Sequence, residues 1–447
     1  MPALDKYLDR YAEPESQQLA GFPSGFADGL VVPMYKEALF ALDRFVDYLD
    51  QHDDLLIIIV INRPTTDTDT GWASKLLNHP FLLQHPSGWQ TLDQVLCLHT
   101  AGKGGLLVVD RCIKGSPIAT DQGVGLARKI GADILCQLIH QGKVLSPWIS
   151  NTDADAILPH NYFQHTSHLQ LNQAENKPTA ARVFPFQHIF IDETPRLPTM
   201  LYEFSLHYYV AGLQWAGSPY AHHTIGSTLC VDYLHYARVR GFPKRSGAED
   251  FYLLNKLAKT GRIESLTSPT IDLQARESTR APFGTGQAVI SLAEQQDLLS
   301  MPLYHPSCFL YLKFFLELIA QLTARKSNVL IVAGALAESS YNSIDIRLID
   351  AIADKFQLQN ALDHCFKHGK TEQTRLQQMT HWFDGFKTLK FIHYLRDHTL
   401  SSIEFRDWPK HCDEQHAPYN HTLAALAAQI ADISSKGSSL PGDNSLT

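Results

Sequence analysis

The sequence predicts an α/β domain built on a mostly parallel sheet, followed by a helical domain. Three observations predict it. Short apolar segments alternate with stretches of helical periodicity through the first half of the chain. One of those segments, Leu55 to Ile61 (LLIIIVI), is fully apolar, as a strand buried on both faces of a parallel sheet must be. From about Tyr304 onward long helical patterns take over.

The elements follow in order. After a polar lead-in (residues 1–28), Gly29 to Met34 (GLVVPM) reads as a buried strand, and Ala38 to Leu49 carries apolar residues at helical spacing. Leu55 to Ile61 is the second strand. A loop rich in Thr and Asp, Pro64 to Thr70, leads into a helix near Trp72 to Leu77. Leu106 to Asp110 is a strand and Gly123 to Leu138 a helix. A further apolar run containing Val144, Leu145, Trp148 and Ile149 ends in Asp153-Ala154-Asp155. That places a D-x-D at the carboxyl edge of the sheet, where open α/β sheets bind ligands. The turn Gly241-Phe242-Pro243 precedes Gly247 to Asp250, which opens another helix. Beyond Tyr304 the runs CFLYLKFFLELIAQLTA, SIDIRLIDAIADKF and RLQQMTHWFDGFKTLKFIHYLRD are helical, and only NVLIVAGAL has the look of a strand. The expected organisation is a lead-in at 1–28, an α/β domain at 29–300, a helical domain at 301–434 and a disordered tail at 435–447.

Composition narrows the class. The chain has 447 residues, 44% apolar and 19% charged, which suits a folded protein with a sizeable core. Its net charge of -8 and the lack of a prominent basic block argue against nucleic acid as the main partner. Seven scattered cysteines with no C-x-x-C indicate neither a disulfide framework nor a zinc knuckle. The charged N-terminus lacks the apolar stretch of a signal peptide, and the apolar runs read as too short to span a membrane, so the expected location is the cytoplasm.

Two acidic pairs carry the chemistry. Asp153 and Asp155, at i and i+2 on a strand end, would point the same way. Such a pair suits a hard divalent cation, Mn²⁺ or Mg²⁺, which can clamp a diphosphate; the plain alternative is a polar turn. Glu249 and Asp250 stand at a helix N-terminus, which the macrodipole favours, and Asp250 is also placed to act as a general base.

Together these segments resemble the nucleotide-sugar glycosyltransferases of the GT-A fold, particularly the large inverting glycosyltransferase family 2. That family opens with V-I-P-x-Y-N-E; here the residues are Val31-Val32-Pro33-Met34-Tyr35-Lys36-Glu37. Its G-x-x-x-A-R-N-x-G helix is matched by Gly123 to Gly131 (GVGLARKIG), and its D-x-D by Asp153 and Asp155. Its acceptor segment is matched in order by Gly226, Arg240-Gly241-Phe242, Glu249-Asp250 and Lys256 to Gly261. The resemblance covers about Gly29 to Gly286 and leaves the helical region aside.

The resemblance implies a GT-A, Rossmann-like catalytic domain that moves a sugar from a nucleotide-diphosphate donor to an acceptor hydroxyl. Pro33, Tyr35 and Glu37 would line the nucleotide pocket. Arg128 would face the donor phosphates or brace the D-x-D loop. Asp155 would be the main metal ligand, with Asp153 on ribose or metal. Asp250 would be the catalytic base and Glu249 its neighbour or an acceptor ligand. Arg280, in Ser278-Thr279-Arg280 before Phe283 to Gly286, would close over the leaving diphosphate. The chain departs from the family where its second strand ends: Asn62-Arg63-Pro64 stands for an acidic D-D/N-G-S, with Asp67 and Asp69 displaced, although Asn62 can still bond a base edge. Lys129 replaces the family's Asn. The Q-x-x-R-W signature and membrane helices of processive synthases are missing, which implies a non-processive enzyme. A catalytically silent module that binds nucleotide sugars is the rival expectation.

Overall fold

The apolar runs become the centre of a nine-stranded mixed sheet. The computed structural model describes residues 3–164, 178–190, 196–275, 285–412 and 419–437. Its strands in chain order begin with β1 (Asp28–Met34), β2 (Leu55–Asn62), β3 (Trp89–Gln90), β4 (Leu96–Ala101), β5 (Gly104–Arg111) and β6 (Trp148–Asn151). They continue with β7 (Ala156–Ile157), β8 (Thr179–Val183), β9 (Phe186–Ile189), β10 (Leu229–Asp232), β11 (Arg262–Ser265) and β12 (Ile271–Gln274). The large sheet has the order β11-β8-β10-β6-β1-β2-β5-β4-β3, and β7, β12 and β9 form a small second sheet.

The central block β6-β1-β2-β5 is parallel throughout, as the unbroken apolar runs require. The flanks are not. β3, β4 and β5 form an antiparallel meander, and β10 runs antiparallel to both β6 and β8. The expected mostly parallel sheet is therefore mixed. One cause is the Gly102-Lys103 turn: Gly102 takes φ 59, a left-handed conformation that lets β4 fold straight back on β5 without a crossover helix.

Successive strands move outward from β1 through β2 to β5. The helix Gly123–His140 then carries the chain back to β6 on the other side of β1. Strand order thus reverses between β1 and β6, the position at which open sheets leave a crevice beyond their carboxyl ends. Two glycines let this returning helix lie close on the sheet. A Cβ on Gly131 would stand 2.4 Å from Val31 Cγ1, and one on Gly29 would stand 2.3 Å from Leu135 Cδ1.

By internal packing the chain divides into unit 1, residues 1–194 and 224–288, and unit 2, residues 195–223 and 289–447. The lead-in belongs to unit 1: Leu4, Tyr7, Leu8, Leu19 and Phe22 share one apolar core with Val31, Ile58 and Leu126. A buried carboxylate fastens it. Asp133, with no exposed surface, accepts from the Tyr7 hydroxyl, the Tyr236 hydroxyl (2.8 Å), Lys129 Nζ (2.8 Å) and the Glu13 amide (2.7 Å). Lys129 is accordingly an internal counter-ion. Asp133→Ala is expected to cost about 3–5 kcal/mol, because it strands a buried ammonium; chemical denaturation measures it.

Unit 2 is helical and discontinuous in sequence. The helix Arg196–Trp215, expected in the first domain, packs instead with the C-terminal residues. Gly212 allows this, since a Cβ there would lie 2.3 Å from Phe309. The core helix Ser307–Ala324 is 18 residues long and apolar enough by length and composition to cross a membrane, yet ten of its residues are buried within the unit. It behaves as a core helix. NVLIVAGAL is helical, over Val329–Ser340, because the Asn328 side chain caps the amides of Leu330 (2.9 Å) and Ile331 (3.2 Å). The Gly385–His398 helix buries Phe391 inside the unit: it packs on Phe315, as does Phe383 just before the helix, each with ring centroids 5.1 Å apart, while Phe386 stays exposed.

Candidate functional site

The crevice begins where β6 stops pairing with β1. The last rung joins Val31 to Asn151, and the Thr152 amide donates to the Val31 carbonyl at 3.0 Å. Beyond it the two chains part. Pro33 is buried in β1 past this rung, so its missing N–H deprives β6 of nothing. Tyr35 and the half-buried Glu37 follow at the carboxyl end, separated by Lys36 in a left-handed conformation (φ 52).

The displaced acid Asp67 returns to this corner. Its carboxylate accepts from the Tyr35 hydroxyl at 2.9 Å and pairs with Lys36 at 3.1 Å, and Trp72 meets the Tyr35 ring edge-on at 5.8 Å. Burial pushes the Asp67 carboxyl up, but Lys36, the Asp69 amide and Tyr35 together hold it below its ordinary value. Asn62 lies at the same strand end with its amide turned inward, donating to the Met34 (3.0 Å) and Val60 (3.1 Å) carbonyls. It fixes the end of β1, and those donors are not directed at a nucleobase.

The D-x-D sits two residues beyond the strand. β6 ends at Asn151, and Asp153 to Ala156 form a turn closed by the Ala156 amide on the Asp153 carbonyl (3.1 Å). Strand alternation therefore does not orient the pair. Three separate elements do. Arg128 of the returning helix donates to Asp153 Oδ1 at 2.5 Å. Arg44 of the Leu39–Gln51 helix donates to the Ala154 carbonyl at 3.2 Å. The Gln274 amide, at the end of β12, donates to the Asp155 carbonyl at 3.2 Å.

Arg128 is the hub. Besides Asp153, its guanidinium donates to Glu249 Oε1 at 2.9 Å and to the Gly226 carbonyl at 3.2 Å, and it is 3% exposed. Burial alone would lower its pKa. Asp153, Glu249 and Asp250 more than reverse that, so the cation is firmly held. The planar fork explains the arginine, since a lysine could not address three directions at once. Glycines shape its surroundings. A Cβ on Gly226 would lie 2.4 Å from Arg128 Nη2, and one on Gly125 would lie 2.5 Å from the Pro243 carbonyl. Gly226→Ala is thus expected to displace the guanidinium and lower any turnover by about 10², the scale of a 1 Å misplacement; steady-state kinetics would show it.

Glu249 and Asp250 begin the Glu249–Leu257 helix, whose preceding residue Ala248 is left-handed (φ 56). Glu249 is buried on Arg128, whereas Asp250 is half-buried. Burial first, and then the Glu249 charge, push the Asp250 carboxyl up to about 7, against the Phe251 amide and Arg128. A carboxyl so tuned can take up a proton near neutrality.

The D-x-D, Arg128, Glu249 and Asp250 thus meet at the strand switch, and Tyr35 and Asn62 lie at the ends of the neighbouring strands. Arg280 lies outside the described residues. Arg44 is a new member that motif reading does not reveal. His222 and His223 belong to unit 2, where burial lowers their pKa to about 4 and about 3. Among the described residues no group of three or more His, Cys, Asp or Glu is arranged to hold a metal. Two aspartates on one turn do fit a hard cation of the kind that takes its remaining ligands from water and substrate phosphates. No protein-family model and no curated protein matches the chain.

Proposed function

We propose that the chain is a metal-dependent glycosyltransferase with a GT-A catalytic domain, non-processive and inverting, that transfers a sugar from a nucleotide-diphosphate donor to an acceptor hydroxyl. The observation that carries this reading is the Arg128 hub, which joins one carboxylate of the D-x-D to the Glu249-Asp250 pair at the switch point of the sheet. Asp155 and the free oxygen of Asp153 would hold a divalent cation, Mn²⁺ or Mg²⁺. When bound, that cation supplies positive charge to the leaving diphosphate.

The chain's own residues account for the rest. Tyr35 and Trp72 offer an aromatic wall beside the carboxyl end of β1 for the nucleotide. Arg128 and Arg44 keep the D-x-D turn rigid, so the donor meets a preorganised site. Asp250 takes the proton from the acceptor hydroxyl as its oxygen attacks the anomeric carbon, and the diphosphate departs from the opposite face with inversion. Glu249, paired with Arg128, keeps Asp250 basic enough for that step.

The test is a panel of UDP-, GDP- and other sugar nucleotides with Mn²⁺ or Mg²⁺. Metal-dependent binding and slow hydrolysis of one donor are expected, both abolished by EDTA and by Asp155→Ala. Full activity in EDTA would count decisively against the mechanism, and binding without any turnover would favour a silent module.

A further inference from the structure

The acidic chain concentrates cations beside the helix that carries the proposed base. Residues 238–262 hold seven basic side chains (Arg238, Arg240, Lys244, Arg245, Lys256, Lys259 and Arg262) against two acidic ones, Glu249 and Asp250. Some of the seven are locally neutralised: Lys244 pairs with Glu13 at 2.7 Å and Arg262 with Glu264 at 3.4 Å. Arg240, Arg245 and Lys256 are exposed and have no carboxylate partner among the described residues.

These three form one strip. Arg245 lies over the Tyr252 ring at 4.2 Å. Tyr252 and Lys256 are one turn apart on the same face of the Glu249–Leu257 helix. Arg240, held over the Tyr11 ring at 4.4 Å, completes the strip near Lys256. Lys256 is exposed at its surface but partly covered along its stem; that burial first, and then the charges of Arg240 and Lys129, hold its ammonium below its ordinary pKa. The strip begins close to the carboxylates. The Arg245 carbonyl accepts from the Gly125 amide at 2.9 Å. Arg128, the partner of Glu249, follows Gly125 by three residues, a rise of roughly 4.5 Å.

We propose that this strip binds a negatively charged acceptor, one bearing carboxylate or phosphate groups near the reacting hydroxyl. The inference rests on the glycosyltransferase reading for what the strip serves, and on charge complementarity for what it binds. Arg245 stands five residues before Asp250, so an acceptor that extends from Asp250 past the start of the helix would meet its guanidinium first. Any further anionic groups would lie along Lys256 and Arg240. The planar Arg245 and Arg240 suit bidentate oxyanions.

Two measurements test it. Tripolyphosphate, titrated by calorimetry with EDTA present, is expected to bind saturably. Binding should weaken at least about 10-fold in the combined variant Arg240→Ser, Arg245→Ser, Lys256→Ser, but not in a control carrying serine at the exposed unit 2 residues Arg325, Lys326 and Arg347. Weak binding that the two variants alter equally would overturn the strip, as would no binding at all. The second measurement compares acceptors matched except for charge: glucose, glucuronate and glucose 6-phosphate, then glycerol, glycerate and glycerol 3-phosphate. Preference for a charged member supports the inference, and the carboxylate and phosphate arms separate the two sources of charge. Equal use of neutral acceptors overturns it while leaving metal-dependent donor turnover intact. Loss of donor binding and hydrolysis altogether would instead remove the glycosyltransferase reading, and the tripolyphosphate titration still reports on the strip.

Discussion

Asp250→Asn is expected to lower turnover by about 10²–10⁴ while leaving donor affinity unchanged, because it removes general-base help but keeps the shape of the side chain. Its pH behaviour distinguishes a base from a helix cap. Burial and Glu249 raise the Asp250 carboxyl to about 7, so wild-type turnover should climb as pH rises through about 7 and flatten above it. The variant should lack that limb. Stability should move the other way. A carboxyl whose folded pKa exceeds its ordinary value of 3.8 favours the fold at low pH, and that contribution is lost as pH rises toward 7. Replacing it with a neutral amide should therefore raise the denaturation midpoint, more at pH 8 than at pH 5. Unchanged kinetics together with a destabilised variant would make Asp250 an ordinary helix-terminal residue.

The parts of this site legible in the sequence are those where chemistry restricts residue type within a short span. The D-x-D and the Glu249-Asp250 pair are of that kind, and so is the buried run of β2. What joins them is not local. Arg128 meets Glu249 across 121 positions, and no spacing rule connects a helix arginine to an acid so far away. The Arg44 contact is harder still to read, because its partner is the Ala154 carbonyl and any residue at 154 would supply one. The same limit hid the make-up of unit 2. Residues 196–215 fell inside the bounds expected for the α/β domain, and the absence of a Cβ at Gly212 is what lets Phe309 dock there. The lead-in looked polar because its apolar residues are interspersed with charges, yet Tyr7 reaches Asp133 in the core. The meander of β3, β4 and β5 depended on one left-handed glycine, and short strands such as β8 and β10 lack enough residues to show a period.

Arg128→Gln is expected to be at least as damaging as loss of the base, and in a way that separates its roles. The substitution removes the guanidinium that, among the described residues, pairs with both Asp153 and Glu249, and leaves a buried carboxylate without that counter-charge. Breaking a buried pair in this manner costs about 3–5 kcal/mol. The D-x-D turn would lose its hold on Asp153 while keeping those of Arg44 and Gln274, so a folded remnant should still bind metal and donor more weakly. Arg128 also opposes the upward push on Asp250, so its removal should move the rising limb of the pH profile to higher pH. Glu249→Gln should move that limb to lower pH, because it removes a charge that disfavours ionisation of Asp250. Opposite displacements in the two variants would establish that one cation couples the donor turn to the base. An Arg128→Lys variant that restored full turnover would show that charge alone suffices, and the planar three-way fork would then have no part in the site.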